Sequence, residues 1–147
     1  MTSSDLVHCA ATLSAAPAEL AFAYLADPSQ LGSWALGCWG AKPGAGGLVI
    51  GRSLYDGAPA VVRVVPDPDR LTVDFEVGDD PSRLARRIMA RVVPGGEVGS
   101  GPGHSLVLLL AWRPAGMDDE RWHRLVSSHE VEILLLRCRI ESKAAGR

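Results

Sequence analysis

The pattern of hydrophobic and polar positions predicts a run of strands between a short helical segment and one long helix. In Leu71–Val77 every second residue is apolar, which is typical of a strand with one buried and one wetter face. Because the connections between successive strands are short, we expect an antiparallel sheet. The predicted strands are Leu6–Leu13, Leu48–Tyr55, Ala58–Val65, Leu71–Val77, Arg86–Val93 and Ser105–Arg113.

Helices are predicted on both sides of these strands. Pro17 suits the first turn of a helix that ends at Ala26, and a shorter helix is expected over Pro28–Trp34. The segment Gly37–Gly47 reads GCWGAKPGAGG and is predicted to be a mobile loop, because five glycines and a proline oppose regular structure. The last helix begins near Asp118 and ends at about Ser142, so at about 1.5 Å per residue it spans more than 30 Å.

Two apolar stripes run along this last helix. The first is expected to face the sheet, and it consists of Trp122, Leu125, Val126, His129, Ile133, Leu136 and Ile140. The second faces away from the first and must also be covered, either by a second copy in a homodimer or by the loop Gly95–Gly103. This second stripe consists of Val131, Leu134, Leu135 and Cys138.

The order of a strand, two short helices, several antiparallel strands and a long closing helix resembles the helix-grip fold of the SRPBCC superfamily. That superfamily includes START lipid-transfer domains, Bet v 1-like plant pathogenesis-related proteins and polyketide cyclases. The closing segment EILLLRCRIE is also similar to the family's last helix. The opening segment carries the family's pattern at Pro17, Glu19, Leu20, Tyr24, Leu25, Asp27, Pro28, Leu31 and Trp34.

The resemblance implies one α+β domain over residues 1–147. A curved antiparallel sheet of six to seven strands would wrap around the long C-terminal helix, with two short helices after the first strand. It also implies a small apolar ligand between sheet and helix, but no family-wide catalytic set, because a fold does not determine a function.

Composition and charge narrow the classes of partner. The formal net charge is −2 with both signs interspersed, so we expect no nucleic-acid binding. No apolar stretch approaches the ~18 residues of a membrane span, and the N-terminus lacks a signal-peptide pattern, so a cytoplasmic protein is expected. Cys9, Cys38 and Cys138 are scattered and are interpreted as buried free thiols. Neither a metal nor a cofactor is predicted.

His129 is the best catalytic candidate, because it places an ionisable group within an apolar stripe. The alternative is a core histidine whose hydrogen bonds are satisfied by neighbours. Arg86, Arg87 and Arg91 are expected to form ion pairs with acidic residues on the solvated sheet face, although Arg87 could instead point inward.

The ligand pocket is expected to be lined largely by aromatic residues. Trp39 is interpreted as part of a lid, whereas Trp34 and Trp122 could either flank the pocket mouth or fill the core. The full set of pocket candidates is Trp34, Trp39, Tyr55, Phe75, Trp112, Trp122, Leu125, Val126, His129 and Ile133.

Three functional hypotheses follow. The first is a carrier or sensor that binds a small apolar molecule in the internal pocket. The second is a polyketide cyclase or dehydratase-like enzyme, in which His129 acts as general acid/base and Tyr55 or Arg87 stabilises an enolate. The third is a protein-interaction module of the co-chaperone type, which would use the second stripe of the long helix.

Overall fold

The computed structural model describes residues 2–147, which form an antiparallel sheet with one long helix across it. Within these residues the sheet has seven strands in the order β1-β7-β6-β5-β4-β3-β2. The strands are β1 Val7–Ser14, β2 Trp39–Pro43, β3 Leu48–Arg52, β4 Pro59–Asp67, β5 Thr72–Gly78, β6 Ala85–Pro94 and β7 Ser105–Trp112.

Two α-helices accompany the sheet. Helix α1 is Ala18–Ala26 and is followed by a 3-10 helix over Pro28–Ser33, while α2 is Asp119–Ala144. The side chain of Asp118 accepts a hydrogen bond from the N–H of Arg121 and so caps α2. The predicted α+β class, the antiparallel sheet and the closing helix are therefore confirmed.

The prediction that Gly37–Gly47 is a loop was wrong, because Trp39–Pro43 forms the edge strand β2. Small residues allow this strand to lie close to its neighbours. A Cβ at Gly32 would lie 2.4 Å from the backbone nitrogen of Ala41, and a Cβ at Gly51 would lie 2.8 Å from the Cβ of Ala41. Glycines in and around this segment thus allow neighbouring backbones to pack closely, in addition to forming turns.

Other element ends differ by a few residues. Strand β3 ends at Arg52 instead of Tyr55, and β5 begins at Thr72 because Leu71 adopts a left-handed backbone conformation with φ 55°. Of the three free cysteines only Cys38 is buried, whereas Cys9 and Cys138 are exposed, so the interpretation of three buried thiols was wrong.

Helix α2 is held at both ends by separate apolar clusters. Ile133, Leu136 and Ile140 belong to the main core beneath α1, and Trp122 packs with Met117 in a second cluster near the start of the helix. Between these contacts, Leu125 and Val126 pack only partly against the second cluster, and the buried polar residues His129 and Glu132 follow them. The space beneath this part of α2 is the cavity described below.

The second stripe of α2 is not a uniform surface. Val131, Leu134 and Cys138 are exposed, but Leu135 is half-buried and packs against the main core. No helix within residues 2–147 is long and apolar enough to cross a membrane.

Two leucines of α2 provide a matched test of this packing. Leu136 is fully buried and Leu134 is 58% exposed. We expect Leu136→Ala to lower the free energy of unfolding by about 2–5 kcal/mol, because it leaves a cavity in the main core. Leu134→Ala should change it by no more than about 0.5 kcal/mol. Urea denaturation measures both, and equal effects would contradict the assignment of the buried face.

Candidate ligand cavity

A cavity of about 990 Å³ lies between the concave face of the sheet and the middle of α2. Its apolar lining comes from the strands and the 3-10 helices, and its polar groups come mainly from α2 and β6. Trp34 and Phe75 form part of its inner lining, with their rings edge to face and the centroids 5.6 Å apart. The opening lies among three turns, at Ser53–Ala58, at Gly78–Asp79 and at Pro114–Met117.

Half of the predicted pocket residues line this cavity. Trp34 is buried in the main core and lines the inner part of the cavity, away from its mouth. Tyr55 lies at the opening and is 65% exposed. The predicted residues on the lining are Trp34, Tyr55, Phe75, Leu125 and His129.

The other half lie elsewhere. Trp122 fills the small cluster at the start of α2, and Ile133 is in the main core. Trp112 is the outward residue at the end of β7, because side chains alternate along a strand and its neighbour Ala111 points inward. Trp39 belongs to the edge strand β2, so it does not form a lid over this cavity, and Val126 faces a separate groove.

Arg87 points into the cavity because of an irregularity in β6. Phe75 pairs with Ile88 and Glu76 pairs with Arg86, so Arg87 is an extra residue on β6 with no partner on β5. Such a bulge redirects a side chain, and here Arg87 and Ile88 both line the cavity although they are adjacent on one strand. Arg86 remains on the outer face, 3.6 Å from Glu76.

The guanidinium of Arg87 is half-buried and has no ionic partner among residues 2–147. Desolvation lowers the pKa of this group, and the positive charge of Arg121 lowers the pKa further. Its Nη1 atom is buried and contacts no hydrogen-bond acceptor within residues 2–147. The arginines that do form ion pairs in this part of the chain are Arg63, Arg70, Arg83, Arg86, Arg113 and Arg137.

His129 is buried on the cavity side of α2. Desolvation lowers the pKa of its imidazole to about 4, with smaller contributions from His8 and from the positive charge of Arg87. The imidazole is therefore neutral at neutral pH. Its Nδ1 atom is buried and has no hydrogen-bond partner within residues 2–147, although the residue lines the cavity.

Glu132 is a buried ionisable residue of the cavity that the sequence did not reveal. It follows His129 by three positions, so both side chains lie on one side of α2 and line the cavity. Burial raises the pKa of its carboxyl to about 8, and a backbone hydrogen bond with Leu36 partly counteracts this. The three-residue spacing from His129 could have placed Glu132 on the cavity side. A glutamate at the margin of an apolar stripe is, however, more typical of the solvent-exposed face of a helix.

The opening of the cavity is bordered by two further arginines of α2. The guanidinium of Arg124 lies 4.0 Å from the centroid of the Tyr55 ring, which joins α2 to the turn after β3. Arg121 lines the same side. The cavity therefore carries three guanidinium groups, whereas the aspartates on its lining, Asp56 and Asp79, lie on exposed turns.

A separate groove of about 480 Å³ lies between β1 and the start of α2, and Trp122 and Val126 contribute to it. Nε2 of His8 lies there 2.8 Å from Oε1 of Glu130, a distance typical of an ion pair, although the contact is not aligned as a hydrogen bond. Within residues 2–147 no group of three His, Cys, Asp or Glu side chains is arranged to hold a metal ion.

The buried Glu132 predicts a decline of stability with pH. The folded protein holds this proton up to about pH 8, whereas the ordinary pKa is 4.5, so the free energy of unfolding falls as the pH rises between these values. His129, with a pKa of about 4 instead of 6.5, has the opposite effect below pH 6.5. Between pH 6.5 and about 8, therefore, only Glu132 contributes, and it lowers the free energy of unfolding by no more than about 1.4 kcal/mol per pH unit.

Replacing the carboxyl isolates this effect. We expect Glu132→Gln to flatten the pH dependence above pH 6.5, because the amide does not titrate. The exposed Glu120, in the first turn of α2, provides the control, and Glu120→Gln should keep the wild-type slope. Urea denaturation across this pH range measures all three proteins. An unchanged slope in Glu132→Gln would show that Glu132 is ionised in the folded state.

Comparisons with known proteins agree on the fold alone. No family model matches the chain, and no curated protein matches it. Among solved structures, the protein XoxI from Bacillus cereus is 14% identical with a TM-score of 0.70, covering 92% of this chain and 95% of the other. An aromatase/cyclase from a Streptomyces species is 17% identical with a TM-score of 0.67, covering 95% and 97%.

A START superfamily protein from Mycobacterium smegmatis is 13% identical with a TM-score of 0.63, covering 96% of this chain and 98% of the other. At these identities the similarity is one of architecture and extends over nearly the whole of each chain. The chain therefore has the helix-grip fold of START-like proteins and aromatase/cyclases.

Proposed function

We propose that the chain, acting as one domain of residues 1–147, binds a small and mainly apolar molecule in the cavity beneath α2, as a carrier or sensor. The observation that carries this proposal is the cavity itself. Its volume of about 990 Å³ is at the upper end of the range of about 300–1,000 Å³ typical of small-molecule sites. Its lining is dominated by residues such as Trp34, Val62, Phe75, Ile88 and Leu125, with a few polar groups that could orient a ligand.

The energetics of packing support a ligand-binding role. Protein interiors are normally close-packed, and empty space lined by apolar side chains forfeits dispersion contacts. Here the main core is well packed around Leu136 and Ile140, both fully buried, yet the adjacent middle of α2 stands away from the sheet. A ligand that filled this space would restore the missing contacts.

A substitution that fills the cavity tests the proposal. Ala60 on β4 lines the cavity, whereas Ala85 on β6 is exposed and lies outside it. We expect Ala60→Trp to weaken binding of the uncharged apolar dye 1-aminoanthracene at least about tenfold, because the indole occupies the site, and Ala85→Trp to leave binding unchanged.

Fluorescence titration measures the dye affinity, and thermal unfolding verifies that both variants are folded. Equal affinity of a folded Ala60→Trp variant, or no binding of the dye to the wild type, would contradict ligand binding in this cavity.

A polyketide cyclase-like enzyme is the second candidate, and the position of the neutral His129 on the cavity lining favours it. One of the structural neighbours is an aromatase/cyclase, and Arg87 lines the same cavity as His129, where it could stabilise an enolate oxygen. With a pKa of about 4, however, the imidazole is a weak base. This property ranks the enzyme behind the binding protein.

Proton abstraction is tested with an apolar ketone of suitable size. If His129 is a general base, the wild type should accelerate deuterium exchange at the α-carbons of 2-tetralone, and His129→Gln should lose most of this acceleration, about a hundredfold. The exposed His123 of the same helix provides the control, and His123→Gln should retain full activity. Exchange is followed by NMR in D₂O. The same rate with and without the wild-type protein would exclude this mechanism for the probe.

A further inference from the structure

We propose that the ligand is an apolar monocarboxylic acid whose carboxylate binds the guanidinium of Arg87 inside the cavity. This inference rests on the proposed binding function and specifies the chemical class of the ligand. It is carried by one geometric feature, an inward-pointing arginine that has no ionic partner in the described part of the chain, and by the charges that surround it.

The position of Arg87 is built into the sheet. The bulge in β6 places one arginine inside the cavity and leaves its neighbour Arg86 outside, near Glu76 and Asp74. Were β6 regular, alternation would have put Arg87 on the face opposite to that of Ile88. Instead the Nη1 of Arg87 is buried in the lining without an acceptor within residues 2–147.

The charge that favours an anion lies in the interior of the cavity. At its opening, Arg121 and Arg124 of α2 are matched in number by Asp56 and Asp79 on exposed turns. Glu132 is protonated at neutral pH, since burial raises its pKa to about 8, and His129 is neutral. At neutral pH the interior, as residues 2–147 form it, therefore has a positive charge at Arg87 and no ionised carboxylate to balance it.

The energetic cost of a desolvated, unpaired guanidinium favours a ligand that carries a carboxylate. A charge removed from water without a partner destabilises the fold, whereas a bound carboxylate would form the planar, bidentate pair that a guanidinium favours. The rest of the inner lining, with Trp34, Phe75 and Leu125, suits an apolar tail.

Paired probes that differ only in their head group test the inference. Decanoic acid and decan-1-ol have the same tail, and isothermal titration calorimetry at neutral pH measures both affinities. The wild type should bind decanoate at least about tenfold more tightly than decan-1-ol, because a hydrogen-bonded ion pair adds to the same tail contacts. Arg87→Gln should remove this preference and leave the affinity for decan-1-ol within about threefold of wild type.

Arg86→Gln is the matched control, since it removes the same charge from the adjacent residue on the outer face, and it should keep the preference for decanoate. Arg87→Lys keeps the charge without the planar fork and should retain part of the preference. Thermal unfolding verifies that each variant is folded, and Arg87→Gln should be at least as stable as wild type because an unpaired charge is removed.

The outcomes separate the two proposals. If decanoate and decan-1-ol bind equally to the wild type, or if Arg87→Gln and Arg86→Gln reduce decanoate binding to the same extent, the carboxylate assignment is overturned while the binding function stands. If Arg121→Gln abolishes the preference and Arg87→Gln does not, the anion binds at the opening and the assignment is equally overturned. If neither probe nor 1-aminoanthracene binds, the proposed function itself fails.

Discussion

The structure depends on the way α2 is held against the curved sheet. Its C-terminal half is embedded in the main core through Ile133, Leu136 and Ile140, and its start is held by Trp122 in a separate cluster. A helix is rigid along its axis, and α2 is fixed to the sheet at both ends. Its middle therefore cannot approach the sheet closely enough to close the cavity. The cavity follows from this two-point attachment.

The groups inside the cavity are ones that a stable core would avoid. His129 and Glu132 are buried and Arg87 is half-buried, and for each of them desolvation shifts the pKa in the direction that disfavours the charged form. Shifted groups of this kind gather at functional sites more often than in ordinary cores. Burying these polar groups destabilises the fold. The well-packed core around α1 and the C-terminal half of α2 compensates for this loss of stability.

Similarity to solved structures leaves the chemistry of the site open, because START-like architecture is shared by proteins of different function. What distinguishes this chain lies in particular side chains. The cavity has several positive groups, one protonated carboxyl and one neutral histidine along a mainly apolar lining. These residues, and not the strand order, are the basis for proposing a ligand class.

The sequence by itself determined the antiparallel strands, the long helix and its inner stripe, because alternation and helical periodicity are local properties of the chain. It also identified His129 as an inward polar group. Only the tertiary structure decided that Trp39 lies in an edge strand, that Trp122 fills a cluster and that Glu132 lines the cavity. The bulge at Arg87 was equally hidden, because register and the gap beneath α2 arise from contacts between residues far apart in the chain.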